Sequence, residues 1–193
     1  MRKPIGLVLA GGAGRRMGRS KGDLRVGGGP TLALRAAEAL GPVCRGVLIS
    51  IRPGSDNPAA GYPVVEDPPP AGRGPLAGIR SAFERADGAD LLVLACDYPR
   101  VETDLLRTLA DRAGDRFDIV MATGGDGRDH PLVALWSGRT RGRVCRALDR
   151  GALRVRELIA TWKLLRLAPA DFPGIDLETR LLNVNTGEDL RRL

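Results

Sequence analysis

The chain has 193 residues, 43% hydrophobic and 27% charged, with a formal net charge of +7. That length suits one domain with a sizeable core, here 1–193 throughout, and no apolar run reaches the roughly 20 residues needed to span a membrane. The cysteines, Cys44, Cys96 and Cys145, are odd in number and lack Cys-x-x-Cys spacing. They point to a reducing compartment, read here as the cytoplasm, and to no structural metal. Met1-Arg2-Lys3 has the charge of a secretion signal, but the apolar stretch after it is short and ends in glycines and arginines. The arginines are dispersed and aromatics are only 4%. Nucleic acid is therefore disfavoured, and a solvated basic surface around an anionic small-molecule site is expected.

Ile5–Ala10 reads as a first strand, and Thr31–Leu40 as a helix capped by Thr31. Gly46–Ile51 and Pro63–Glu66 follow as strands. Leu76–Ala86 is a helix opened by Gly74-Pro75, with proline suited to a first turn. Asp90–Cys96 is continuously apolar, as a central strand covered on both faces should be. Thr103–Ala113 reads as a helix, Phe117–Ala122 and Pro131–Trp136 as strands. Arg143–Leu148 and Arg154–Thr161 read as helices, Trp162–Leu167 and Leu181–Val184 as strands, and Gly187–Leu193 as a terminal helix. Stretches 52–61, 67–74, 123–130 and 168–180 read as loops. The alternation predicts an α/β fold, a mostly parallel sheet with helices on both faces. Such sheets bind ligands outside the carboxyl ends of their strands.

The stretch Leu9-Ala-Gly-Gly-Ala-Gly-Arg-Arg-Met-Gly-Arg-Ser-Lys21 closes the first strand with glycine and then supplies four cations. Backbone N–H groups free of side chains and nearby cations suit a polyphosphate. Lys21 is one of only three lysines, so its compact ammonium looks selected. Gly12, Gly14 and Gly18 miss the dinucleotide fingerprint by one residue, and Ser20-Lys21-Gly22 fails the Walker pattern.

Asp97 follows the central strand and precedes Tyr98-Pro99. It is placed either to hold Mg²⁺ on nucleotide phosphates or to cap a turn. Asp67 ends Pro63-Val-Val-Glu-Asp in the same manner. It suits a ribose or guanine contact, or simply tips a proline-rich loop. Beyond it, a helix start at Gly74-Pro-Leu-Ala-Gly78 would add a positive dipole. His130, the only histidine, lies in Asp129-His-Pro131 without partners at ligand spacing; it shapes a loop or touches a ligand. Asn183 and Asn185 alternate along a strand end, facing substrate, while Asn185 or Thr186 could equally cap the last helix. Neither a Ser/His/Asp set nor an activated cysteine is evident.

The loop and Lys21 together resemble the nucleotidyltransferase signature. The fuller set resembles the molybdenum cofactor guanylyltransferases over nearly the whole chain: Glu66-Asp67, Gly74-Pro-Leu-Ala-Gly78, Cys96-Asp97, Asp129-His-Pro131 and Asn183-Val-Asn-Thr186. The resemblance implies a Rossmann-like α/β fold of the nucleotide-diphospho-sugar transferase type. It implies transfer of GMP from GTP to molybdenum-molybdopterin, with Mg²⁺ as cofactor and pyrophosphate as by-product. Leu9, Ala10, Gly11, Gly12, Lys21, Asp67 and Asp97 would bind the nucleotide, and Asp97 also the metal. Arg16, Lys21 and Asp97 would be catalytic, and His130, Asn183 and Asn185 would meet the pterin substrate. Proteins that deliver molybdopterin or receive the finished cofactor are further implied partners. Two departures stand out. The family commonly places asparagine before the arginine that ends its second strand, where this chain has Ile51-Arg52, leaving Ser50 as the substitute. Tyr98 replaces a more usual apolar residue before proline. A cytidylyltransferase, a sugar-1-phosphate nucleotidyltransferase and a non-catalytic cofactor carrier remain as alternatives.

Overall fold

The computed structural model describes residues 3–11, 21–70, 72–186 and 189. Its strands are β1 (Ile5–Leu9), β2 (Val47–Ile51), β3 (Val64–Glu66), β4 (Leu91–Ala95), β5 (Ile119–Thr123), β6 (Asp129–Trp136) and β7 (Leu164–Leu167). They form one sheet in the order β3-β2-β1-β4-β6-β5-β7. Six strands run in one direction, and β6 runs against both β4 and β5. The reversed strand follows from the short loop 124–128, which can return the chain only as an antiparallel neighbour.

Period-two alternation divides the sheet's side chains between two apolar layers. Leu92, Leu94 and Cys96 pack with helices α1 (Leu32–Leu40) and α3 (Thr103–Asp111). Leu91, Val93 and Ala95 pack with α2 (Pro75–Arg85), α4 (Arg141–Asp149) and α5 (Val155–Ile159). All five residues of β4 are buried, which explains its unbroken apolar sequence. Thr31 caps α1 as expected, its hydroxyl accepting from the Leu34 N–H at 3.1 Å.

α2 shows how sequence sets the shape of the site. Gly74 has φ of 72°, a left-handed conformation that favours glycine, and Pro75 then opens the helix. One turn later Gly78 lies against β2 and β1. A Cβ there would fall 2.8 Å from Ser50 Cβ and 2.9 Å from Leu9 Cδ2. Only glycine lets the helix approach this closely.

The C-terminal region departs from expectation. Residues 181–184 form no strand; a four-residue helix, α6 (Leu177–Arg180), precedes them inside the stretch read as loop. α6 is started by Asp176, whose carboxylate accepts from the Thr179 N–H. The following segment reaches the sheet through a single bond, Val184 N–H to the Asp97 carbonyl at 2.8 Å. Of the expected terminal helix only its opening is described. The Thr186 hydroxyl accepts from the Asp189 N–H while Asp189 Oδ2 accepts from the Thr186 N–H, a reciprocal cap. Among the described residues no helix is long and apolar enough to cross a membrane.

Candidate active site

The chain leaves β1 for strands on one side, β2 and β3, and then crosses to β4 on the other. The sheet therefore splits between β1 and β4, where an open α/β sheet forms a crevice. A cavity of about 290 Å³ occupies the carboxyl ends there, lined by Leu9 at the end of β1 and Gly11 beyond it, Ser50 and Arg52 at the end of β2, Asp67 after β3 and Asp97 after β4. Lys21 and the start of α2, Gly74-Pro75, close it. The helix N-terminus adds N–H groups that no side chain caps and a positive dipole.

Lys21, in a short 3-10 turn over Lys21–Asp23, and Asp97 meet across 76 residues. The ammonium lies 3.2 Å from Asp97 Oδ2, with both side chains largely buried. Oδ1 of Asp97 is buried and has no hydrogen-bond partner among the described residues. Leaving such an oxygen unsatisfied is costly, and a hard anionic oxygen suits a divalent cation. No cluster of three or more His, Cys, Asp or Glu is grouped for metal binding among the described residues. A cation at Asp97 thus needs oxygens from a ligand, the usual situation of Mg²⁺ on a nucleotide.

Asp67 is 7% exposed. Its Oδ1 accepts from the Ser50 hydroxyl at 3.2 Å. Burial pushes its carboxyl above the ordinary range, opposed by the Ser50 bond and the Arg52 charge. Arg52 also clamps the first loop, its Nε donating to the Gly11 carbonyl at 2.9 Å. Ile51, by contrast, is buried in the layer beneath α1, and Ser50 is the residue of that strand end that lines the cavity. Ser50, expected as the substitute for the usual asparagine, and Arg52 both line the cavity, as their i, i+2 spacing along the strand direction requires.

The remaining expected residues divide. Leu9 and Gly11 line the cavity, whereas the Ala10 side chain points into the α1 layer. Ala10 contributes backbone, donating its N–H to the Ser50 carbonyl. Gly12 and Arg16 lie outside the described residues. His130 is buried and does not line the cavity. Its Nδ1 is 3.2 Å from the Tyr98 hydroxyl, with the two rings edge to face. Burial, then the Arg128 charge, pushes its imidazole toward the neutral form. Tyr98 instead lines a groove beside the cavity, with which that groove shares Pro75 and Leu132. Asn183 is half-buried. Asn185 is not on a strand; its Oδ1 accepts from the Lys21 ammonium at 2.9 Å. Burial holds the thiols of Cys44 and Cys96 up at about 12, so neither is a nucleophile.

Comparison with known proteins agrees with this geometry. A family model for the MobA-like NTP transferase domain matches residues 6–179. A probable molybdenum cofactor guanylyltransferase of Methanothermobacter thermautotrophicus is 35% identical, with 95% of each chain covered. A molybdenum cofactor guanylyltransferase of Nitrobacter hamburgensis is 33% identical over 96% of this chain and 90% of its own. Among solved structures, molybdopterin-guanine dinucleotide biosynthesis protein A of Archaeoglobus fulgidus superposes with a TM-score of 0.78 at 24% identity, covering 97% of this chain and 95% of its own. A 2-C-methyl-D-erythritol 4-phosphate cytidylyltransferase of Thermus thermophilus gives 0.70 at 21% identity, covering 98% and 96%. The fold is that of the nucleotide-diphospho-sugar transferases. The chain belongs to the MobA-like NTP transferase domain family and is a nucleotidyltransferase.

Proposed function

We propose that this enzyme transfers GMP from GTP to the terminal phosphate of molybdenum-molybdopterin, forming the guanine dinucleotide cofactor and releasing pyrophosphate. The observation that carries the reading is the crevice pairing: Lys21 beside Asp97, with a second buried carboxylate, Asp67, lining the same cavity. Guanine presents two adjacent N–H donors, which a carboxylate accepts; cytosine does not. The names of the relatives support guanylyl transfer as well.

The acceptor phosphate is already anionic at neutral pH, so no general base is needed, consistent with the buried, neutral-leaning His130. The acceptor oxygen attacks the α-phosphorus in line. A new P–O bond forms there as the bond to the β-phosphate oxygen breaks, and pyrophosphate leaves with the electron pair. Lys21 and Arg16 neutralise the charge that collects on the leaving group. As the phosphates enter, the Lys21 ammonium exchanges its Asp97 bond for phosphate oxygen. Asp97, through its unpaired Oδ1, would hold Mg²⁺, which when bound polarises the α-phosphate and screens the triphosphate. Asp67 positions the base and Arg52 keeps the Gly11 backbone in place beneath the nucleotide.

The direct test is pyrophosphate release with molybdenum-loaded molybdopterin and Mg²⁺, offering GTP, CTP, ATP and UTP separately. Release with GTP alone is expected. Release with CTP alone would move the enzyme to the cytidylyl reaction, and none from folded protein would make it a carrier.

A further inference from the structure

The Lys21 ammonium has three N–H donors, and protein accepts all three. Asp97 Oδ2 is at 3.2 Å, the Val184 carbonyl at 2.9 Å and Asn185 Oδ1 at 2.9 Å. Two of the three acceptors come from the C-terminal segment, more than 160 residues away. That segment is itself built to stay in place. Val184 is buried, at 2% exposure, and donates its N–H to the Asp97 carbonyl at 2.8 Å. Lys21, Asp97 and Val184 therefore close a ring. Beyond it, Asp189 Oδ2 accepts from the N–H groups of both Asn185 and Thr186, at 2.9 and 2.8 Å, which fixes the backbone that carries the Asn185 side chain.

A lysine side chain has four rotatable carbons and loses considerable rotamer freedom when fixed. Held by Asp97 alone, the ammonium would be bound to the carboxylate that the reaction needs. The two neutral carbonyl oxygens change this. They hold the ammonium at the cavity wall without competing with phosphate for its charge, so that Asp97 is the acceptor given up when a triphosphate enters. We propose that Asn185 is a positioning residue: with the Val184 carbonyl it presents the Lys21 ammonium to the nucleotide's phosphates, and so couples the C-terminal segment to the nucleotide site. This rests on the reading of the cavity as a nucleotide site, and it gives Asn185 a partner within the protein rather than on the pterin substrate.

The test is a double-mutant cycle on Lys21→Met and Asn185→Ala, read in two ways. The first is thermal stability of the free proteins; the second is GTP affinity by calorimetry without any pterin. A hydrogen bond to a charged group supports a loss of about tenfold in GTP affinity for Asn185→Ala and more, about a hundredfold, for Lys21→Met. If Asn185 acts through Lys21, the double variant binds GTP within about twofold of Lys21→Met alone. Asn185→Asp keeps an acceptor oxygen but makes it anionic, so it restores the thermal stability lost in Asn185→Ala and does not restore the GTP affinity. Additive losses, or an unchanged affinity in Asn185→Ala with turnover lost only when pterin is present, would overturn the proposal in favour of a direct substrate contact. If wild-type protein binds no nucleotide, the functional reading fails, and the stability cycle still decides the contact. Coupling between the two substitutions supports the clamp, and independent effects refute it.

Discussion

Gly78→Ala is the substitution whose outcome the structure specifies most fully. In a helix interior glycine to alanine ordinarily stabilises, by about 1 kcal/mol. Here the new methyl would meet Ser50 Cβ at 2.8 Å and Leu9 Cδ2 at 2.9 Å, and would press on the Ser50 hydroxyl as well. Leu9 can shift its side-chain end, but Ser50 Cβ is fixed to β2, where Ser50 is in register with Leu9 of β1 on one side and Val65 of β3 on the other. With all three neighbouring atoms inside 3 Å the overpacking falls in the upper part of the usual range, about 2–3 kcal/mol, so after the helix-propensity gain a net destabilisation of about 1–2 kcal/mol is expected, a fall of roughly 2–8 °C in Tm for a chain of this size. The same movement turns the Ser50 hydroxyl away from Asp67, so GTP affinity falls with stability. Gly46→Ala is the control: a Cβ there meets nothing within 4 Å. Thermal unfolding and GTP calorimetry on the three proteins read both effects. A Gly78→Ala protein as stable as wild type, binding GTP equally well, would refute the close packing of α2 on the nucleotide wall.

Other expectations follow from the charged groups. Asp97→Ala and Arg16→Ala should each lower turnover by more than about tenfold, equivalent to about 1.4 kcal/mol of barrier, and chelation of divalent metal should abolish turnover in wild type; pyrophosphate release reads all three. Asp67→Asn should lose guanine preference yet unfold at a higher temperature near pH 7. Burial raises the folded-state carboxyl, so its ionised form opposes folding above that value and the penalty fades as pH falls; calorimetric melts of both proteins against pH check it. Asp118, at the opposite end of the sheet, behaves inversely. Burial would raise its carboxyl, but bonds from Arg143, the Lys163 N–H and Arg139 outweigh burial and hold it at about 2. Its stabilisation is complete above the ordinary value of 3.8 and disappears as pH falls through about 2. Both arginines are 35% exposed, so solvent screening leaves about 1–2 kcal/mol. Asp118→Asn should flatten the acid limb of the stability curve measured by urea unfolding.

What the sequence made legible is local. The apolar run before Asp97, the proline after Gly74 and the threonine at the head of α1 each act within a few residues, and each element forms where expected. The motif from Gly74 to Gly78 was visible too, although its last glycine is explained by Ser50 and Leu9, which lie on two strands distant in sequence. What stayed hidden depends on contacts across long separations. Residues 181–184 have the alternation of a strand, but no sheet edge is free beside Asp97, and the segment contributes one backbone bond there instead. The two asparagines looked like a pair on one face. In the fold Asn185 turns to Lys21, and His130 turns away from the cavity to Tyr98. The direction of β6 was equally invisible, since antiparallel pairing reflects how short the preceding loop is rather than the composition of the strand. Ile51, which stands where the family commonly has asparagine, is buried in the core, and the Ser50 hydroxyl beside it donates to the Asp67 carboxylate.

The identity of the dinucleotide formed decides what the enzyme does. Molybdenum-loaded molybdopterin should be incubated with the enzyme, Mg²⁺ and an equimolar mixture of GTP, CTP, ATP and UTP, and the pterin product identified by mass spectrometry. A guanine dinucleotide is expected as the dominant product, with Asp67→Asn yielding a mixture. A cytosine dinucleotide from the wild-type enzyme would contradict guanylyl transfer.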